Sequence, residues 1–138
     1  MKRIEFMKRI EVVGAVIVNE GLILCAQRGS AGKLPGMWEF PGGKVEPNES
    51  PTEALEREIN EELACEIVVK DFITTTEYEY DFGIVVLSTF YCELKSGAPS
   101  LSEHVAMVWL SPEELYTLEW APADIPAVAL IQEAARSK

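Results

Sequence analysis

Four ionisable residues, Arg57, Glu58, Glu61 and Glu62, crowd a short stretch between Gly43 and Cys65 of this 138-residue chain. Residues three and four apart on a helix are neighbours. With about 100° of rotation per residue, Glu58, Glu61 and Glu62 share one face of a helix. Like charges at that spacing destabilise an isolated helix by roughly 0.2–0.5 kcal/mol per pair. A cation that neutralises them removes that cost. Hard cations such as Mg2+ take carboxylate oxygens, keep water and bind phosphate. The spacing therefore predicts a divalent-ion site that works on a phosphate compound, with Mg2+ as the expected ion and Mn2+ as the alternative.

The elements needed to hold this cluster are legible around it. Ser50 is a good N-cap, Pro51 suits the first helical position and Glu53 completes a capping box. Leu55, Ile59 and Leu63 form an apolar stripe beside the acidic face. Upstream, residues 10–18 read as a strand, Asn19-Glu20-Gly21 as a turn and residues 22–28 as the returning strand. A Gly/Ser loop over 29–35 leads to a short extended piece, 37–40, that ends at Pro41-Gly42-Gly43. Downstream, strands are expected over 67–79 and 84–94 around Asp81-Phe82-Gly83, and another over 105–110. Ser111-Pro112-Glu113-Glu114 begins a short helix, and a last helix covers 123–136. Strands and helices without a regular βαβ rhythm point to an α+β fold: a mixed, curved sheet between helices, in one domain. MKRIE occurs at 1–5 and again at 7–11, so residues 1–6 read as a redundant extension.

Composition narrows the partners. The net charge is −11, from 23 acids against 12 bases. That balance disfavours a nucleic-acid polymer or an anionic membrane surface, both of which reward basic patches. A nucleotide stays compatible, because a cation can bridge acidic residues to a polyphosphate. Cys25, Cys65 and Cys92 are odd in number and widely spaced, which reads as reduced thiols of a cytoplasmic protein. No stretch reaches membrane-spanning length.

The pattern Gly43, five residues, Glu49, seven residues, then Arg57-Glu58-Ile59-Asn60-Glu61-Glu62-Leu63-Ala64-Cys65 resembles the Nudix box, Gly-x5-Glu-x7-Arg-Glu-U-x-Glu-Glu-x-Gly-U, where U is bulky and apolar. Every charged position matches. The departures are Ala64 in place of Gly, just after the helix where a left-handed residue often sits, and Cys65 at the last apolar position. Cys25-Ala26-Gln27-Arg28, Trp38-Glu39-Phe40-Pro41-Gly42-Gly43-Lys44 and Ala121-Pro122-Ala123-Asp124-Ile125-Pro126 are similar to segments of the MutT branch, in particular its bacterial CTP pyrophosphohydrolases. The resemblance implies an Mg2+-dependent hydrolase splitting nucleoside triphosphates, such as CTP, dCTP or 8-oxo-dGTP, into monophosphate and pyrophosphate. It would act as a monomer or homodimer. The alternatives are hydrolysis of ADP-ribose or another nucleoside diphosphate derivative, and a non-catalytic nucleotide sensor. Residues 66–82 lack the proline usual in ADP-ribose lineages, and no box glutamate is missing.

By the same resemblance Glu58 and Glu62 ligate the ion, Glu61 does so directly or through water, and a carbonyl of the Gly42-Gly43 turn completes the set. Glu49 and Arg57 form an ion pair that fixes the box. Arg57 can also reach Glu61 and orient it. Glu103 is the expected second approach to the metal, as ligand or general base, and either Glu58 or Glu103 could take the proton. Arg28 and Lys44 are candidate phosphate contacts, with Pro41, Gly42 and Gly43 beside them. Phe40 either offers a stacking face for the base or belongs to the core. Asp124 either caps the last helix or reads the base edge, or does both. His104, the only histidine, is expected to be structural.

Overall fold

The computed structural model describes residues 7–137. The expectation for residues 1–6 lies outside that range. Seven strands and two α-helices follow one another as β1 (Arg9–Asn19), β2 (Leu22–Gln27), β3 (Trp38–Glu39), β4 (Gly42–Lys44), α1 (Pro51–Leu63), β5 (Glu66–Tyr80), β6 (Gly83–Ser96), β7 (Ala106–Leu110) and α2 (Ile125–Arg136). The sheet is mixed. β1 runs parallel to β6 from Arg9↔Ile84 to Val18↔Glu93, and β5 is antiparallel to β6.

The β1–β2 hairpin turns through Glu20 and Gly21, at φ 52° and 80°. Two successive positive φ values suit the right-handed twist of the strands. The hairpin pairs only at its tip, Val18↔Ile23 and Asn19↔Leu22. Beyond it the strands part and the β3–β4 segment fills the gap. β3 pairs with β2, β4 pairs with β1, and the amide of Ala15 donates to the Pro41 carbonyl at 2.7 Å. β7 lies along the other edge of β2. This split brings Gly42 and Gly43 into the sheet beside Val13 and Gly14 of β1.

Alternation along β1 sorts the core into two sides. Val13, Ala15 and Ile17 join Leu24, Leu55, Ile59 and Leu63 beneath α1. Val16 joins Ile23, Cys25, Phe40, Trp120 and Val128 beneath α2. The sheet is thus sandwiched between the helices, as the sequence pattern predicts. Each fully buried Leu or Ile of α1 contributes about 1.5–3 kcal/mol, which fixes the helix against β1, β4 and β5.

The caps follow the residue types. Ser50 accepts from the Glu53 amide, and Glu53 accepts from the Ser50 amide. Ala64 ends α1 at φ 56°, ψ 37°, in the left-handed region. The short helix expected after Ser111 is present as a 3-10 helix, Pro112–Thr117. One boundary needs correction. The last α-helix starts at Ile125, after a separate 3-10 turn over Pro122–Asp124, and Asp124 makes no capping bond.

Candidate active site

Arg57 occupies the centre of the acidic stretch and grips four carboxylates at once. Its Nε donates to Glu49 Oε2 at 2.6 Å and its Nη2 to Glu49 Oε1 at 3.0 Å, a forked pair. Nη1 reaches Glu58 at 3.1 Å, Glu61 at 3.2 Å and Glu46 at 3.9 Å, while Nη2 also donates to the Lys44 carbonyl at 3.0 Å. Glu49 precedes the helix, so this pair closes across the N-cap and not along a helical face. The guanidinium holds the Glu49 carboxyl below the usual range, and Glu49 in turn raises the pKa of Arg57.

Glu58 lies directly behind β4. A methyl group on Gly43 would stand 2.5 Å from each Glu58 oxygen, and one on Gly42 would overlap the Val13 carbonyl. Both glycines are therefore demanded by close approach. They form a strand paired with Val13 and Gly14, where the sequence suggested a turn. Burial raises the pKa of Glu58, and the bond from Arg57 opposes the rise.

Glu62 and Glu103, with Glu39, line a cleft of about 400 Å³ shared with Arg28, Lys44 and Asp124. Burial pushes the Glu62 carboxyl up to about 8, and Glu58, Glu103 and Glu39 add to the rise. Its Oε1 is buried without a hydrogen-bond partner. Glu103 is exposed at the rim. Glu61 turns the other way and lines a separate groove with Arg57 and Asn60. The structure thus brings Glu58, Glu62 and Glu103 into mutual electrostatic range and leaves Glu61 on the Arg57 side.

In the same cleft, Arg28 Nη1 donates to Glu39 Oε1 at 3.0 Å and Arg28 Nε to the Lys33 carbonyl at 2.8 Å. His104 Nε2 donates to Glu39 Oε2 at 2.8 Å. Asp124 is 5% exposed and its Oδ2 accepts from the Phe40 amide at 3.1 Å. Burial raises its pKa well above that of a free aspartate, and nearby Glu39 adds to this. Phe40 is 3% exposed with its ring 4.7 Å from that of Trp120, so it offers no open stacking face. Pro41 is fully buried and spends its carbonyl on Ala15. Aromatic surface reaches the cleft instead from Tyr80 and Phe82, which stack at 5.0 Å. Sequence reasoning missed these two and Glu39. The Trp38-Glu39-Phe40 segment was the one available signal for Glu39.

Residues 8–131 match the NUDIX domain. The chain belongs to this family. It is 45% identical over 120 residues to the CTP pyrophosphohydrolase of Escherichia coli K12, spanning 87% of this chain and 89% of that protein. It is 36% identical over 116 residues to the putative 8-oxo-dGTP diphosphatase 2 of Mycobacterium tuberculosis, spanning 82% and 81%. The solution structure of the E. coli ORF135 protein superposes with a TM-score of 0.83 at 40% identity, over 97% of this chain and 96% of that one. The MutT protein of methicillin-resistant Staphylococcus aureus 252 gives 0.78 at 55% identity, over 94% and 99%. The chain is a Nudix hydrolase with the α+β architecture of these neighbours.

Among the described residues of this Nudix hydrolase, no three His, Cys, Asp or Glu side chains surround one point as a formed cage. The donors nonetheless suit a hard divalent ion. They are all oxygens, and the Oε1 of Glu62 is buried with no hydrogen-bond partner among the described residues. No helix among the described residues is long and apolar enough to cross a membrane.

Proposed function

We propose that this Nudix hydrolase is a cytoplasmic nucleoside triphosphate pyrophosphohydrolase that uses Mg2+, or Mn2+ in its place, to convert CTP, dCTP or 8-oxo-dGTP into monophosphate and pyrophosphate. The observation that supports the reading is that Glu62 and Glu103 line one cleft with Arg28, Lys44 and Asp124, while Glu58 lies within electrostatic range of both glutamates. A triphosphate laid along that cleft meets carboxylates where its cation is needed, and a buried polar side chain where its base arrives. The similarity to a CTP pyrophosphohydrolase and to a putative 8-oxo-dGTP diphosphatase supports the CTP and 8-oxo-dGTP readings.

The divalent ion would be held by Glu58, Glu62 and a carbonyl of Gly42 or Gly43, with Glu61 supporting through Arg57 or water. When bound, such an ion polarises phosphoryl oxygens and acidifies the attacking water. Arg28 and Lys44 bind phosphate oxygens, Arg28 with its Nε and Nη1 already oriented by Lys33 and Glu39. Glu58 is engaged by Arg57, whereas Glu103 makes no hydrogen bond among the described residues. Glu103 is therefore the better placed to accept the proton of the nucleophile. Asp124, held by the Phe40 amide, faces the exocyclic group of the base.

The experiment is a turnover panel of CTP, dCTP, 8-oxo-dGTP and ADP-ribose with Mg2+, with pyrophosphate and monophosphate as readouts. Turnover of one or more triphosphates with pyrophosphate released is the expected result. Turnover of ADP-ribose alone, or tight binding of nucleotide without turnover, refutes the reading.

A further inference from the structure

We propose that His104 is a positioning residue: its bond to Glu39 latches the loop that carries Glu103 and holds that carboxylate over the acidic cluster. The inference rests on the role of Glu103 proposed above.

Segment 97–105 is fastened on two sides, and Glu103 stands between the fastenings. On the α1 side, the Ser100 amide donates to the Leu63 carbonyl at 2.9 Å and Ser102 Oγ to the Glu62 carbonyl at 2.7 Å. These acceptors belong to the last turn of the helix, whose carbonyls have no partner within the helix itself. Gly97, at φ 82°, lets the chain pass against Ala64 and Cys65. One short link thus separates the backbone of Glu62 from that of Glu103.

On the other side, the Val105 amide donates to the Gln27 carbonyl at 3.0 Å, and His104 Nε2 bonds Glu39 Oε2 at 2.8 Å. The His104 side chain is 6% exposed, and its Nδ1 is buried with no partner. Glu39 is consequently the only polar hold on the ring among the described residues. The two oxygens of Glu39 divide the work: Oε1 accepts from Arg28, Oε2 from His104. One carboxylate therefore sets both the arginine aimed at the phosphates and the loop that brings Glu103 to them. Among the described residues no hydrogen bond holds the Glu103 side chain, so its aim depends on Ser102 and His104. Displacement of a reacting group by about 1 Å can cost about 100-fold in rate.

Turnover of CTP with Mg2+ is measured for wild type, Glu103→Gln, His104→Phe, His104→Gln and the double variant Glu103→Gln/His104→Phe, with thermal melts as a check on folding. A role through Glu103 predicts that His104→Phe lowers kcat about 10–100-fold with KM within about 3-fold. His104→Gln, which keeps a donor for Glu39, recovers most of the loss. In the Glu103→Gln background the His104→Phe change adds nothing further. Near-normal kcat in His104→Phe overturns the proposal, and so does a full multiplicative loss in the double variant. If Glu103→Gln itself turns over normally, the assignment of Glu103 fails and the latch fails with it.

Discussion

Gly43 and Glu58 stand so close that a single methyl group on the glycine would lie 2.5 Å from both carboxylate oxygens. The strand and the helix are therefore machined to one another at that point. Gly43→Ala should cost about 1–3 kcal/mol of stability through overpacking. It should also lower kcat about 100-fold by displacing the carboxylate. Urea melts and steady-state kinetics on the same preparation check both.

Replacing Glu58 by Gln keeps volume and helix propensity and removes one of the charges that raise the Glu62 pKa. Turnover should fall at least about 100-fold, while the melting temperature holds or rises. Near-normal turnover would remove Glu58 from the chemistry.

Burial holds the Glu62 carboxyl protonated up to about pH 8, against an ordinary value of 4.5. Between those pH values the native state keeps a proton that the unfolded state has lost. Stability of the metal-free protein therefore falls as pH rises from about 4.5 to about 8. Denaturant melts at pH 5, 6.5 and 8 should show the decline, and Glu62→Gln should flatten it. Addition of Mg2+ near pH 7 should release protons, because a ligating carboxylate must ionise. Titration in weakly buffered solution measures that release.

Ala64 closes α1 in the left-handed region, at φ 56°. Glycine adopts that conformation without the Cβ penalty, so Ala64→Gly should stabilise by about 0.5–1 kcal/mol. The melting temperature should rise by about 2–4 °C with kcat unchanged. A lower melting temperature would show that the alanine methyl contributes packing.

The glutamate cluster, the capped helix and the hairpin turn were legible because each depends on residues within a few positions of one another. Ser50, Pro51 and Glu53 announce a helix start whatever packs on it. Glu39 was not legible, since its partners Arg28 and His104 are 11 and 65 residues away and meet only once β2 and β3 pair. Asp124 has the residue type and place of an N-cap, yet the Phe40 amide 84 residues earlier takes its oxygen. A buried acceptor bonds the donor that tertiary structure presents, and local preference yields. Glu61 shares a helical face with Glu58 by spacing alone. Arg57 draws it toward the other groove, an effect that counting along the helix does not contain.

The dipeptide Glu39-Phe40 is a mechanical hub. Its side chain and backbone connect Arg28, His104 and Asp124, so the residues proposed to meet phosphate and base share one strut. Anyone retuning which nucleobase is accepted by altering this strut will disturb speed along with taste. Tyr80 and Phe82 enter the same cleft from the β5–β6 turn without joining the Arg28–Glu39–His104 linkage. Tyr80 accepts from the Ala123 amide and Phe82 lies under Lys33, whose carbonyl holds Arg28, so the aromatic wall is tied to both neighbours of that linkage.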